Sequence, residues 1–136
     1  MDRQNLTLLT DLYELTMMQG YFKHKDRNET VIFDAFYRNN PMAPGSPISA
    51  ANNPMDSGYA IMAGLEPVIQ YIKELKFEQQ DIDYLASLCI FQQDFLDYLK
   101  DFKFTGDIYA IPEGSIMFPR EPMIKVIAPI MQASLQ

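Results

Sequence analysis

The apolar pattern of this chain switches from a helical to a strand-like period after residue 100, and that switch limits the possible folds more than any other feature. Between residues 59 and 100 the apolar side chains recur at helical spacing, whereas between residues 107 and 128 they fall into three short strand-like runs. Turn-forming residues separate those runs at Pro112-Glu113-Gly114 and at Pro119-Arg120-Glu121. The sequence therefore predicts an α/β fold with α+β character, in which helices pack on a small mixed or antiparallel sheet.

The predicted elements alternate between the two kinds of secondary structure. The helices cover residues 11–21, 59–73, 79–88 and 92–100, and the strands cover residues 30–37, 107–111, 115–118 and 122–128. Residues 130–136 have the pattern of a further helix that has only begun. Because a periodic segment is cut off at its start, we expect the chain to be the front part of a longer protein.

The first predicted helix has a defined beginning and end. Asp11 is placed as its N-cap, with Glu14 at the spacing of a capping box. Gly20 is the type of residue that ends a helix. The side predicted to face the core is an apolar stripe at helical spacing, which consists of Leu12, Leu15, Met18 and Phe22.

A long segment without a periodic pattern, residues 39–57, interrupts the chain after the first strand. It is rich in Pro, Gly, Ser, Ala and Asn, which is the composition of a loop. The run Asn39-Asn40-Pro41-Met42 recurs as Asn52-Asn53-Pro54-Met55, and removal of residues 42–54 leaves a continuous turn. We therefore interpret residues 1–136 as one domain, with residues 42–54 as an inserted flexible loop.

Composition excludes several classes of function. The chain of 136 residues has a net charge of −7, and its Lys and Arg residues are scattered singly, so we expect no nucleic-acid partner. No apolar run approaches the length of about 20 residues that spans a membrane. Cys89 is the one cysteine; it predicts a buried thiol in a reducing compartment. Since the N-terminus has no signal-peptide pattern, we expect a cytoplasmic protein.

Three side chains are candidates for a binding site. Asp11 and Tyr13 lie at the first turn of the predicted helix, where a phenol could stack on a flat aromatic ligand and hydrogen-bond at its tip. The Arg38 guanidinium follows a strand and suits a carboxylate or a phosphate. Two structural alternatives stand beside these roles, a helix cap for Asp11 and, for Arg38, a surface ion pair with Asp34 or a neighbouring acid.

Metal and nucleophile chemistry have little support in the sequence. One His and one Cys cannot form a zinc site by themselves. His24 lies at the end of the first predicted helix, where a solvated imidazole complements the helix dipole. We therefore predict no metal site and assign no catalytic residue within the chain.

Four segments, spread in order over nearly the whole chain, resemble the N-terminal region of the nicotinate phosphoribosyltransferases. The resemblance to the nicotinate branch, rather than to the related nicotinamide enzymes, depends most on the second and third segments. The segments are Thr10-Asp11-Leu12-Tyr13-Glu14-Leu15-Thr16-Met17, Phe33-Asp34-Ala35-Phe36-Tyr37-Arg38-Asn39-Asn40-Pro41, Gly58-Tyr59-Ala60-Ile61-Met62-Ala63-Gly64-Leu65-Glu66, and Asp107-Ile108-Tyr109-Ala110-Ile111-Pro112-Glu113-Gly114 continuing to Phe118-Pro119-Arg120-Glu121-Pro122.

The resemblance implies a reaction and a set of partners. The family joins nicotinate to 5-phosphoribosyl-1-pyrophosphate, with Mg²⁺ and in many members with ATP hydrolysis, and makes nicotinate mononucleotide and pyrophosphate for NAD salvage. Its fold joins an N-terminal α/β domain to an α/β barrel, and the active site forms across a homodimer interface. By motif, Tyr13 would stack on the pyridine ring, Asp11 would hold Tyr13 and shape the ring pocket, and Arg38 would meet the phosphoribosyl or pyrophosphate group.

The barrel is missing from this sequence, so two kinds of function stay open. One is a nicotinate phosphoribosyltransferase of which this chain is the N-terminal portion, inactive alone. The other is a non-catalytic interaction or regulatory module, or a degenerate fragment. A relative that uses nicotinamide or quinolinate is a third expectation, because ring specificity depends on the barrel.

Overall fold

The computed structural model describes residues 5–24, 27–39 and 59–135. The predicted insertion at residues 42–54 lies outside these residues. The elements, in chain order, are α1 (Leu12–Lys23), β1 (Thr30–Ala35), β2 (Ala60–Ile61), α2 (Leu65–Glu74), α3 (Gln79–Ser87), α4 (Gln93–Lys100), β3 (Asp107–Ala110), β4 (Ile116–Met117), β5 (Ile124–Pro129) and α5 (Ile130–Ala133). Helices and antiparallel sheet are thus combined, as the sequence predicts.

The main core is helical and centres on Phe95 of α4. This side chain is fully buried, and the rings of Phe22 and Phe91 lie 5.8 Å and 5.7 Å from its ring. Burial of apolar surface on this scale is the main force that holds the helices together. The other fully or nearly fully buried members of this cluster come from α1, α3, α4, α5 and the loops beside them, and include Leu15, Met18, Leu85, Leu99 and Met131.

The larger sheet has three strands in the order β1-β5-β3, and both pairs are antiparallel. One face carries Val31 on β1, Val126 and Ala128 on β5, and Ile108 on β3, which pack in a second apolar cluster. Strand β5 continues directly into α5. Helix α5 contacts both β1 and α1 and so joins the sheet to the helical core.

A second, two-stranded sheet pairs β2 with β4 and was not predicted. The sequence pattern places a single helix over residues 59–73, but α2 begins at Leu65. Gly64 separates β2 from α2, because its φ of 101° is a backbone conformation that residues other than glycine rarely adopt. The Glu113 carboxylate then accepts hydrogen bonds from the N–H groups of Gly64 and Leu65, at 3.0 and 2.6 Å. Glu113 therefore acts as scaffold for the start of α2.

The prediction for α1 is wrong in three details. The helix continues through Gly20 to Lys23, since Phe22 packs against Phe95 and this contact outweighs the weak helix propensity of glycine. Leu12 is 50% exposed and does not belong to the buried stripe. Asp11 is the N-cap residue by backbone conformation, but its side chain makes no capping hydrogen bond.

Two further expectations are corrected by the structure. Strand β1 ends at Ala35, two residues before the predicted end at Tyr37. Cys89 is exposed and has a φ of 57°, because it lies in the tight connection between α3 and α4 and not on a buried helix face. Helices α3 and α4 otherwise lie within one residue of their predicted bounds.

Candidate functional site

Tyr13 lies at the first turn of α1 and presents its ring to solvent. The side chain is 59% exposed, whereas Leu15 and Met18 of the same helix are buried. Its hydroxyl donates a long hydrogen bond of 3.5 Å to Glu14 Oε1. The neighbouring Glu14 carboxylate raises the pKa of the Tyr13 phenol, with desolvation and the Asp11 charge as smaller causes. The exposed ring is available to stack on a flat ligand.

Glu14 forms hydrogen bonds with both Tyr13 and Thr10 at the start of α1, and the sequence did not predict this role. Its second carboxylate oxygen accepts a hydrogen bond from the Thr10 hydroxyl. The half-buried Glu14 thus joins the residue that precedes the helix to the exposed phenol. The signal was present in the sequence as the spacing of Thr10 and Glu14, but the capping-box pattern assigned Glu14 to Asp11 instead.

Asp11 lies beside this arrangement with its carboxylate uncommitted to a cap. With Leu9, Thr10, Glu14 and Leu135 it lines a shallow depression at the start of α1. The structural alternative for Asp11, a side-chain helix cap, is therefore not realised. An exposed carboxylate next to an exposed ring is suited to orient a polar group of a ring-shaped ligand.

The segment that leads into the site is fixed by a buried hydroxyl. The Thr7 side chain is 2% exposed; its hydroxyl donates to the Lys76 carbonyl at 2.8 Å and accepts from the Lys76 N–H at 3.2 Å. The Asn5 amide donates to Asp81 Oδ2 at 2.7 Å. Since both partners flank the connection between α2 and α3, the residues before α1 cannot move independently of the helical core.

Arg38 lies beyond the end of β1, where its guanidinium is exposed. Among the residues that the structure describes, Arg38 forms no ion pair with Asp34 or with another acid, and Asp34 lies 4.0 Å from the Lys125 ammonium. Two hydrogen bonds fix the backbone before Arg38: the Tyr37 carbonyl accepts from the Arg120 N–H at 2.9 Å, and the Tyr37 hydroxyl donates to the Met117 carbonyl at 2.9 Å.

The structure brings Asp11 and Tyr13 together but places Arg38 in a separate region. Asp11 and Tyr13 share the first turn of α1, whereas Arg38 follows β1 at the edge of the sheet. Within the described part of the chain, these two elements are joined through α5, which packs against both. Asp11 and Tyr13 therefore form one part of the candidate site, and Arg38 forms another.

A groove of about 480 Å³ lies beside the site, between the segment before α1 and helix α2. Tyr71 is among its lining residues, and the buried Tyr71 hydroxyl forms no hydrogen bond with a described residue. Burial raises the pKa of the Tyr71 phenol, and the Glu14 charge adds to the effect. The folded state holds this proton more tightly than the unfolded state. The contribution of the Tyr71 phenol to the free energy of unfolding is therefore fully present below about pH 10 and is lost as pH rises through the raised pKa.

We expect Tyr71→Phe to leave the free energy of unfolding unchanged at neutral pH or to raise it by up to about 1 kcal/mol, since an unpaired buried hydroxyl is removed. The decline in stability above pH 10 should become smaller. Urea unfolding at a series of pH values measures both effects. Tyr84→Phe, at a tyrosine that is 57% exposed, is the control and should change neither. A loss of more than about 1 kcal/mol in Tyr71→Phe would contradict the assignment.

The described part of the chain has neither a metal-binding cluster nor a membrane-spanning helix. In residues 5–24, 27–39 and 59–135, no group of three or more His, Cys, Asp or Glu side chains is placed to hold a metal ion. The helices over the same residues are all too short or too polar to cross a bilayer.

Comparison with known proteins supports the resemblance seen in the sequence. The family model of the nicotinate phosphoribosyltransferase (NAPRTase) N-terminal domain matches residues 8–136. A nicotinate phosphoribosyltransferase of Mycobacterium tuberculosis, pncB2, is 39% identical over 128 residues, which cover 94% of this chain and 25% of that protein. The nicotinate phosphoribosyltransferase of Bacillus subtilis is 34% identical over 131 residues, which cover 96% of this chain and 24% of that protein.

The fold agrees with a solved structure of the same family. The crystal structure of human nicotinic acid phosphoribosyltransferase superposes with a TM-score of 0.71 at 26% identity, over 93% of this chain and 23% of that chain. The chain thus spans about a quarter of the length of the relatives that it matches. On the family match, the sequence identity and the shared fold, this chain belongs to the nicotinate phosphoribosyltransferase N-terminal domain family.

Proposed function

We propose that this chain supplies the N-terminal domain of a nicotinate phosphoribosyltransferase, which joins nicotinate to 5-phosphoribosyl-1-pyrophosphate in NAD salvage. The observation that carries the proposal is the exposed Tyr13 ring on a helix whose neighbouring side chains, Leu15 and Met18, are buried. An exposed aromatic ring on a helix that is anchored in the core is suited to binding a flat ring.

The described residues support a division of roles. Tyr13 stacks on the pyridine ring of nicotinate, and Asp11 shapes the edge of the ring pocket beside it. Glu14 orients the phenol through its contacts with Tyr13 and Thr10. Arg38 meets the phosphoribosyl or pyrophosphate group, for which a guanidinium offers paired donors. These contacts bind and orient substrates, and the bond-making groups belong to the remainder of the protein.

We propose a homodimer in the complete protein, with the exposed end of α1 facing a partner barrel. The apolar side chains around Tyr13 support this arrangement, since Leu9, Leu12 and Met17 are all exposed beside it. Contiguous exposed apolar surface is typical of a protein interface. Mg²⁺ and ATP are proposed as cofactors of the complete protein on the family relationship, and we propose a cytoplasmic location.

Tyr13→Ala is expected to weaken nicotinate binding by about 1–3 kcal/mol, the scale of a lost ring-stacking contact. The measurement is the KM for nicotinate when this chain is mixed with the separately expressed remainder of a relative. Tyr13→Phe keeps the ring and should retain most of the affinity. Tyr84→Ala removes an equally exposed tyrosine from α3 and is the matched control. An unchanged KM for nicotinate in Tyr13→Ala would rule out the stacking role.

A non-catalytic interaction module is the second candidate, and the exposed apolar side chains of α1 favour it. Such a module would occupy the dimer interface of a full-length relative and regulate it. Size-exclusion chromatography of the chain with a full-length enzyme tests this candidate. A monomer with no affinity for the enzyme would argue against it, whereas a stable inactive complex would support it.

A relative that uses nicotinamide or quinolinate is the remaining alternative for the substrate. The ring contacts proposed for Tyr13 do not distinguish the three pyridines, because stacking depends on the ring and not on its substituent. Turnover with nicotinamide or quinolinate but not with nicotinate would favour this alternative.

A further inference from the structure

We propose that Arg120 joins Arg38 in binding a phosphate or pyrophosphate group. The inference deepens the proposed function, which identifies the substrate that carries such a group. In the sequence, residues 119–121 predict a turn between strands and belong to the fourth segment that resembles the family, but no role was predicted for Arg120. Three observations on the described residues support a binding role: the turn conformation, the register with β1, and the charges nearby.

The conformation of Arg120 is unfavourable for its residue type. Glu121 N–H donates to the Phe118 carbonyl at 3.3 Å, which closes a four-residue turn with Pro119 second and Arg120 third. Arg120 has a φ of 70°. Proline followed by a positive φ is the pattern of a type II turn, whose third position favours glycine or asparagine.

The preceding turn of the same chain has a glycine at the position with a positive φ, as is usual. There Ser115 N–H donates to the Pro112 carbonyl at 3.2 Å, and the third position is Gly114, with a φ of 81°. Two turns of similar geometry thus carry a glycine in one case and an arginine in the other. A residue kept in a conformation that opposes its own preference is a reason to look for a function of its side chain.

The register of the backbone places Arg120 next to Arg38. The Arg120 N–H donates to the Tyr37 carbonyl at 2.9 Å, so that Arg120 lies across from the residue that precedes Arg38. Just beyond the turn, the Met123 N–H donates to the Ala35 carbonyl at 2.8 Å. These bonds extend the pairing of β1 with β5 past the end of β1 and hold the two arginine backbones side by side.

Two acidic side chains close to these arginines in sequence, Glu121 and Asp34, have other partners. The Glu121 carboxylate accepts a hydrogen bond from the Phe118 N–H at 2.8 Å, and Asp34 lies against Lys125. No ion pair joins Arg38 or Arg120 to a carboxylate in the described part of the chain. In a chain with a net charge of −7, two arginines whose backbones lie side by side, and that form no ion pair among the described residues, offer two guanidinium groups to an anion. Two planar guanidinium groups match the several oxygens of a pyrophosphate.

The test is a titration of the 136-residue chain with sodium pyrophosphate, followed by NMR of the arginine Nε–H groups. We expect the signals of Arg38 and Arg120 to shift together. Arg120→Gly should weaken pyrophosphate binding about 10-fold or more, on the scale of a lost charge-assisted hydrogen bond. Arg120→Lys keeps the charge but loses the planar guanidinium, so its pyrophosphate affinity should lie between those of the wild type and Arg120→Gly. Arg27→Ala is the matched control, because Arg27 precedes β1 and Arg38 follows it at the other end.

The glycine variant separates binding from folding. Glycine suits a positive φ, so Arg120→Gly should keep or raise the melting temperature while it lowers pyrophosphate affinity. Unshifted Arg38 and Arg120 signals in the wild-type chain would overturn the inference, and so would Arg120→Gly binding with unchanged affinity. This titration uses no nicotinate, so it tests the arginine site separately from the proposed transfer reaction. Pyrophosphate binding without any transfer reaction would contradict the proposed function but not the arginine site. If the reaction occurs and Arg120→Gly leaves the KM for 5-phosphoribosyl-1-pyrophosphate unchanged, the inference alone fails.

Discussion

Phe95→Ala is expected to lower the free energy of unfolding by about 3–5 kcal/mol, the range found when a buried aromatic ring is truncated. Phe95 is fully buried in the helical core and stacks against Phe22 of α1 and Phe91 before α4. Removal of its ring loses these contacts and leaves a cavity that the surrounding helices cannot fill without moving. Because a domain of this size is stabilised by only about 5–15 kcal/mol, the change is large enough to leave part of the chain unfolded.

The measurement for Phe95→Ala is chemical denaturation followed by circular dichroism. Phe36→Ala is the matched control, since Phe36 is half exposed and lies outside the strands. The control should cost less than about 1 kcal/mol. A loss of similar size in both variants would contradict the description of a core centred on Phe95. Because Phe22 belongs to α1, Phe95→Ala should also loosen the helix that carries Tyr13.

Gly106→Ala is expected to cost about 3 kcal/mol by the opposite mechanism, overpacking. A Cβ atom at Gly106 would lie 2.4 Å from the Ala128 Cβ and 2.6 Å from the Ile127 carbonyl oxygen. Both atoms belong to β5, the central strand, so neither can move away without disturbing its pairing with β1 and β3. The added methyl group should therefore push β3 away from β5, and hydrogen exchange should accelerate in β3.

Gly20→Ala provides the matched control for Gly106→Ala. Gly20 lies inside α1, and a Cβ atom there would meet no other atom within 4 Å. Alanine favours the helix by about 1 kcal/mol relative to glycine, so this variant should be more stable than the wild type. The two glycine-to-alanine changes are thus expected to have opposite signs. Equal effects would show that the close approach at Gly106 has been misassigned.

Sequence reasoning succeeded where the local pattern and the tertiary packing agree. Helices α3 and α4 each have one apolar stripe that becomes buried, so their bounds followed from the periodicity. It failed where a contact distant in sequence decides the local structure. Gly20 continues a helix because Phe22 packs on Phe95, and residues 60–61 form a strand because β4 pairs with them. Pro67, in the first turn of α2, was an unused signal for the later start of that helix.

In the candidate site too, residues with local sequence signals were predicted, and residues that depend on distant contacts were not. Asp11, Tyr13 and Arg38 were selected from the sequence, and their roles stay predictions that the proposed experiments test. The contact of Glu14 with Thr10 was accessible from spacing alone, but Thr7 was not, because its partner Lys76 is far along the chain. Arg120 required the register of the sheet, which no local pattern provides.

Product formation from nicotinate and 5-phosphoribosyl-1-pyrophosphate tests the central claim most directly. The 136-residue chain would be assayed with Mg²⁺ and ATP, first alone and then mixed with the separately expressed remainder of the Mycobacterium tuberculosis relative. Our account predicts nicotinate mononucleotide and pyrophosphate in the mixture, and none from the chain alone. A mixture that forms no product, although circular dichroism shows both parts folded, would contradict the claim that Asp11, Tyr13 and Arg38 complete a transferase site.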